Sequence, residues 1–196
     1  PEGDCPRDSM EAFVRLTAFA ETARRAARAA GVKVGTEERF GFGAFTHTGP
    51  APDRIAAVWR ARLGAQVVLE ALLEAGPESL LSFQASVSGG GAANDGDPPK
   101  PDKRTAAKES GLIASDTFCV EFVGHTVALR DFLNALAQAD EALVVRSVEV
   151  EPAALKERVA VPDLDLRSAV GAGGLRKFSV VVEAMQLRLD SAIPAT

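Results

Sequence analysis

The sequence is poor in the side chains that most often carry acid–base and thiol chemistry. Its 196 residues include two cysteines, two histidines and no tyrosine. Two cysteines are too few for a disulfide scaffold or a four-thiolate zinc site. The scarcity of histidine and tyrosine leaves few candidate general acids and bases. Composition alone therefore disfavours an enzyme.

Long apolar runs and a basic excess are also missing. No stretch of 18 or more apolar residues is present, and no charged segment precedes a short apolar one as in a signal peptide. The net charge of −5 argues against a nucleic-acid-binding protein. The chain begins at Pro1 rather than Met. We therefore expect a soluble domain cut from a longer protein, with any membrane anchor upstream.

Hydrophobic residues make up 46% of the sequence, which is enough for a globular core. Asp8 and Glu11 form a capping-box pattern that predicts a helix ending at Gly31. Pro52 and Gly76 bound a second helix with a wide apolar face. Thr126 is the predicted cap of a third helix.

Alternating apolar residues predict strands between and after these helices. They lie within 32–45, 79–88, 116–124, 143–150 and 178–189, the first as one strand or two short ones. The order of elements predicts an α+β fold, a ferredoxin-like β-α-β-β-α-β sandwich with an antiparallel sheet and helices on one face. The first helix and the last strand are additions to that plan.

Composition also predicts the domain limits. Residues 1–8 and 191–196 are expected to be tails, and 9–190 a single α+β domain. Its two β-α-β halves, 9–88 and 116–190, are joined by residues 89–115, which are rich in Gly, Pro and Asp and predict a mobile loop.

No set of residues forms a recognisable catalytic or metal-binding motif. Cys119 is in mid-strand, about 20 Å from His125 along an extended chain, so a thiol–imidazole pair is not expected. His47 lies in a loop with no partner at metal-ligand spacing. Cys5 and Cys119 form a disulfide only if their Cα atoms come within bridging range, which the sequence leaves open. We expect no catalytic residue, cofactor or metal.

A strand that ends in glycine, a helix with apolar residues at helical spacing and a valine-rich strand containing Arg146 follow one another between Phe118 and Val150. This segment resembles the periplasmic domains of PilO and related type IV pilus and type II secretion assembly proteins. The motif residues are Gly124, Leu129, Phe132, Leu133 and Leu136.

Upstream, Phe40-Gly41-Phe42 precedes a long helix that ends Leu72-Leu73-Glu74-Ala75-Gly76. This part is similar to verrucomicrobial pilus-associated proteins of the Akkermansia outer-membrane type, and the two resemblances together cover Asp8 to Leu189. They imply a membrane helix and a coiled coil upstream of Pro1, a periplasmic or outer-envelope location, and homo- or heterodimers formed through sheet edges or helices. They imply no catalytic residues.

Two functions remain in view. The first is a non-enzymatic interaction domain of a pilus-like or secretion-like assembly. Its expected partners are other assembly proteins. We expect it to bind no nucleic acid and to reach the membrane only through a segment outside this chain. We expect its contact surface on an exposed last strand. The predicted contact residues are Phe178, Val180, Val182, Met185, Leu187 and Leu189. The alternative is a ferredoxin-like small-ligand sensing domain, which requires a convergent polar pocket.

Overall fold

A computed structural model describes residues 5–87, 113–153 and 174–187, and the element bounds below refer to these ranges. Helix α1 spans Ser9–Ala29. Asp8 accepts a hydrogen bond from the backbone N–H of Glu11 at 2.8 Å, as predicted, while the Glu11 carboxylate accepts from the N–H of Arg7 at 2.9 Å. Gly31, with φ of 75°, follows the helix end. Both predicted ends of α1 are confirmed.

The chain after α1 leaves the sheet sooner than predicted. Strand β1 contains only Lys33–Val34, and a 3-10 turn at Gly43–Phe45 stands where a second strand was expected. Phe40 and Gly41 both have positive φ, 51° and 89°, which an extended strand does not allow. The prediction of one strand or two short ones within 32–45 is therefore confirmed for β1 and wrong for the residues after it.

Helix α2 spans Ile55–Glu74, after a 3-10 turn at Pro52–Arg54. It packs beside α1, where the Arg62 guanidinium lies 5.3 Å from the ring centre of Phe19 and 4.7 Å from that of Trp59. Such cation–π contacts add about 0.5–1 kcal/mol each. A Cβ on Gly64 would lie 3.0 Å from the ring of Phe118, so α2 also lies close over the sheet.

The remaining elements are strand β2 at Ser79–Ser86, β3 at Ile113–Gly124, helix α3 at Thr126–Gln138, β4 at Leu143–Pro152 and β5 at Arg176–Leu187. Strand β3 begins at Ile113, three residues earlier than predicted, and most of the predicted 89–115 loop lies outside the described residues. His125, not Thr126, is the N-cap of α3, and its side chain makes no capping hydrogen bond.

The five strands form one sheet in the order β1-β2-β3-β5-β4. β1 pairs with β2 in parallel, and the other three pairs are antiparallel, so the sheet is mixed rather than antiparallel throughout. The α+β class is confirmed. The last strand, β5, was expected to be an addition to the sheet and instead lies between β3 and β4.

The core lies between the three helices and one face of this sheet. Phe122 of β3 lies at its centre, with its ring 5.7 Å from that of Phe132 on α3 and 5.2 Å from that of Phe178 on β5. Leu136 is also buried, while Leu129 and Leu133 pack against the core from partly exposed positions. These contacts attach α3 to β3.

Candidate functional site

The candidate site is β4, which forms one edge of the sheet. It pairs with β5 on one side, and no strand of the described chain pairs with the other. An edge strand presents unpaired backbone groups and is a common site of association between proteins. At ten residues, β4 is long for an edge strand, whereas β1 contains two.

One row of β4 side chains is apolar and exposed on the helix side of the sheet. Val145, Val148 and Val150 stand opposite three β5 residues whose side chains are fully buried, Val182, Val180 and Phe178 respectively. Opposite residues in an antiparallel pair share a face. The three valines nevertheless keep 39%, 37% and 55% of their surface exposed. We call Val145, Val148 and Val150 the valine row.

The exposure of the valine row follows from where the helices lie. α1 contacts β1, α2 contacts β2 and β3, and α3 contacts β3, but in the described part of the chain no helix makes comparable contact with β4. The helix layer therefore ends before the sheet does. The apolar face of β4 extends past it into solvent.

The opposite face of β4 is polar. Glu149 stands opposite Ser179, and Glu151 stands opposite Lys177. The Lys177 Nζ lies 3.3 Å from a carboxylate oxygen of Glu121 on β3 and 3.9 Å from one of Glu151, which makes an ion-pair ladder across three strands. Because apolar area is concentrated on the helix side, that side is the better candidate for a protein contact.

The outer edge of β4 carries features that oppose pairing with another strand. The register shifts between Val145 and Ser147, which leaves Arg146 as a bulge residue without a partner in the ladder. The Nη2 atom of Arg146 lies 2.5 Å from the Oε2 atom of Glu183 on β5. Pro152 ends the strand and has no N–H to donate. Bulges, proline and charged side chains are the usual means by which proteins block association at sheet edges.

The other edge of the sheet is the two-residue strand β1, and a loop lies along the rest of β2. After β1 ends, the Glu38 carboxylate accepts hydrogen bonds from the backbone N–H groups of Phe40, at 2.7 Å, and of Phe83 on β2. Arg24 of α1 donates to the carbonyls of Thr36 and Glu38 and holds this loop in place. Among the described residues, the loop thus covers the edge of β2 beyond β1, whereas the outer edge of β4 has no strand partner.

The stability of this closed edge should depend on pH. Burial raises the pKa of Glu38 above its usual 4.5, although its backbone hydrogen bonds and Arg24 partly oppose that rise. The folded state therefore binds the proton more tightly than the unfolded state, and stability is lost as pH rises from about the unfolded pKa through the folded one. Glutamine does not titrate, so the stability of Glu38→Gln relative to wild type should increase as the pH is raised from 4 to 7. Urea unfolding at each pH measures the difference. Glu37→Gln, at the exposed neighbour, is the control, and equal pH profiles for the two variants would refute the assignment.

The sequence-predicted contact strand is not at an edge. β5 pairs with β3 through twelve residue pairs and with β4 on its other side, so the expectation that 178–189 is an exposed edge strand is wrong. Phe178, Val180 and Val182 are at most 1% exposed, which removes the structural basis for a direct contact role for these three. Met185 and Leu187 lie near the end of β5, and Leu189 falls outside the described residues.

The candidate chemical groups stay apart. Cys119 is half-buried within β3, and burial, followed by the nearby carboxylate of Glu121, raises the pKa of its thiol. A thiol with a raised pKa is a poor nucleophile at neutral pH. His125 is exposed at the start of α3, and Cys5 and Cys119 are both free thiols. Among the described residues, no three His, Cys, Asp or Glu side chains cluster as a metal site would require.

A shallow depression of about 470 Å³ lies over the loop that closes the β2 edge. It is lined by Gly35, Thr36, Glu37, Glu38, Arg39 and Gly43. The Glu38 carboxylate is already engaged by backbone N–H groups, so it does not supply a free polar group for a ligand. The lining comes from a single loop, not from the space between sheet and helices where a small-ligand sensor of this fold was expected to bind.

Sequence reasoning found β4 as a strand but did not place it at the edge. A signal was present, because charged residues at 146, 149 and 151 and a terminal proline are typical of edge strands. The alternation of β5 is equally regular, and alternation alone does not tell an edge strand from a central one.

A model of a protein family described as pilus-like matches residues 9–155. No curated protein sequence matches the chain. Within the described residues, none of the helices is both long and apolar enough to span a membrane.

The fold is similar to solved structures from Akkermansia muciniphila. One, a protein without its transmembrane region, has a TM-score of 0.67 at 11% identity and covers 95% of this chain and 92% of its own. A core domain from the same organism has a TM-score of 0.64 at 9% identity, covering 91% and 88%. The type 4 fimbrial biogenesis protein PilO from Pseudomonas aeruginosa has a TM-score of only 0.38 at 10% identity, covering 89% of this chain and 99% of its own. At these identities the Akkermansia matches establish the fold alone.

Proposed function

Because the chain belongs to the pilus-like family, whose role is structural and pilus-associated, we propose that it acts without catalysis, through protein contacts made at β4. The partners we propose are other proteins of a pilus or related secretion assembly, in a homo- or heterodimer. We propose a periplasmic or outer-envelope location, with membrane attachment by a segment outside this chain.

One observation carries the proposal: the exposed valine row on an open sheet edge. A sheet face that is buried over β2, β3 and β5 continues into β4 with its apolar side chains in solvent. Contiguous exposed apolar surface beside a folded core is the usual mark of a protein contact. The thiol of Cys119 is half-buried, its pKa is raised, and it is several residues along the strand from His125. These features support a role in protein contacts rather than in catalysis.

Site-specific photo-crosslinking in the bacterium that carries the gene tests this function. A photoreactive phenylalanine analogue at Val150 should give a discrete adduct that contains a pilus or secretion assembly protein. The same analogue at Met10, which is 70% exposed on α1, is the matched control and should give no such adduct. Absence of an adduct at Val150, or the same adduct at both positions, would refute β4 as the contact surface.

A further inference from the structure

We infer that the valine row receives an amphipathic helix of a partner protein, which lies beside α3, runs antiparallel to it and extends the helix layer over β4. This inference rests on the proposed function and adds the kind of element that binds, its length and its direction. The shape of the edge, the length of the row and the charges at its two ends support it.

The edge itself favours a helix over a strand. A partner strand would have to pair along the bulge at Arg146 and past Pro152, which lacks the N–H that a ladder needs. It would also leave the valine row exposed, because strand addition extends the sheet sideways and covers neither face. A helix on the helix side covers the valines and leaves the outer edge in water.

The dimensions of the row set the length of the partner helix. Leu143, at the start of β4, is partly buried on the same face as the valine row, and the seven residue steps from Leu143 to Val150 span about 23 Å in an extended strand. A helix rises 1.5 Å per residue, so about 15 residues cover this distance. A helix beside α3 at the ordinary interaxial distance of about 8–10 Å continues the packing that α2 and α3 already make.

The charges at the two ends of the row set the direction of that helix. Asp140 and Glu141 are exposed just before β4 begins, and Arg176 is exposed opposite Pro152, where β4 ends. Arg176 shares the helix side of β5 with Phe178, since alternate strand residues share a face. A helix is positive at its N-terminus and negative at its C-terminus. The favourable direction therefore puts the N-terminus beside Asp140 and Glu141, which runs parallel to β4 and antiparallel to α3.

A designed peptide probes this site without knowledge of the natural partner. The probe is a 15-residue helical peptide with leucines at i, i+3, i+4, i+7 and i+11, glutamines elsewhere and a nitroxide label at its N-terminus. We expect Val148→Lys to weaken its binding at least tenfold in isothermal titration calorimetry, and Met10→Lys to leave binding within twofold. The amide signals broadened by the nitroxide should be those around Leu143, not those around Val150. The double change Asp140→Lys, Glu141→Lys should weaken binding threefold or more at low salt, and less at high salt.

Each competing occupant gives a different result. Tighter binding of a strand-forming peptide of alternating Val and Thr would overturn the inference in favour of strand addition. A dimer of the chain alone in sedimentation equilibrium that Val148→Lys dissociates would mean that a second copy occupies the row. A drop in Tm for Val148→Lys well beyond that for Met10→Lys would mean that another part of this chain covers it. Failure of the peptide with a positive crosslink at Val150 would overturn the helix and leave the proposed function standing.

Discussion

Replacing Gly41 with alanine should destabilise the domain by about 3–5 kcal/mol, because two costs combine at this position. Gly41 has a φ of 89°, in a region that L-residues rarely adopt. A Cβ added there would lie 2.5 Å from the Cβ and 2.8 Å from the backbone nitrogen of Ala85 on β2. Because one of these atoms belongs to the backbone of β2, which is held by its pairing with β3, the clash has no easy relief. Chemical denaturation monitored by circular dichroism measures the loss directly.

Gly31→Ala separates the two costs. Gly31 also has a positive φ, 75°, but no atom lies within 4 Å of the position its Cβ would take. We expect this control to lose only the strain of the left-handed conformation, about 1–2 kcal/mol. Equal losses for the two variants would show that the loop containing Gly41 does not press against β2 as described.

Replacing Phe122 with alanine should cost a similar amount, about 3–5 kcal/mol, for a different reason. The side chain is fully buried, and its ring contacts those of Phe132 and Phe178, which join α3 to the sheet. Its removal deletes apolar contacts and leaves a cavity at the point where α3 is attached. Thermal and urea unfolding should both show the loss, and amide exchange in α3 should rise.

The matched control for Phe122→Ala is Val150→Ala, in the exposed row of β4. Val150 faces the same side of the sheet as the core but is 55% exposed, so we expect a loss below about 0.5 kcal/mol. A loss of several kcal/mol at Val150 would mean that the valine row is covered in the free protein. That result would remove the basis for a contact surface at β4.

The helices were the most predictable part of the fold, because their signals are local. The Asp8 cap, the glycine after α1, and the Pro52 and Gly76 limits of α2 all act within a few residues of the helix ends. Capping depends on hydrogen bonds to nearby backbone groups, and such bonds need no tertiary partner. Two predicted helix starts shifted: α2 begins at Ile55, after a 3-10 turn that starts at Pro52, and the N-cap of α3 is His125 rather than Thr126.

The loop from 35 to 45 was mispredicted because its conformation depends on distant residues. Phe40 and Phe42 alternate with glycine as in a strand, but their rings pack on Phe19 of α1, and that of Phe40 also on Phe83 of β2. The half-buried Glu38 carboxylate lies at the β2 edge beyond β1, where a second strand was expected. A carboxylate that pairs with the backbone of another strand leaves no pattern in its own segment of sequence.

The sequence by itself determined the α+β class, the three helices, the existence of β2 to β5 and the scarcity of catalytic groups, since these follow from local periodicity, capping and composition. Only the tertiary structure decided the order of the strands. β4 and β5 alternate equally well, and which of them is central depends on long-range pairing that alternation does not encode. That order moved the candidate contact surface from Phe178, Val180 and Val182, which the core buries, to Val145, Val148 and Val150, which the helix layer leaves uncovered.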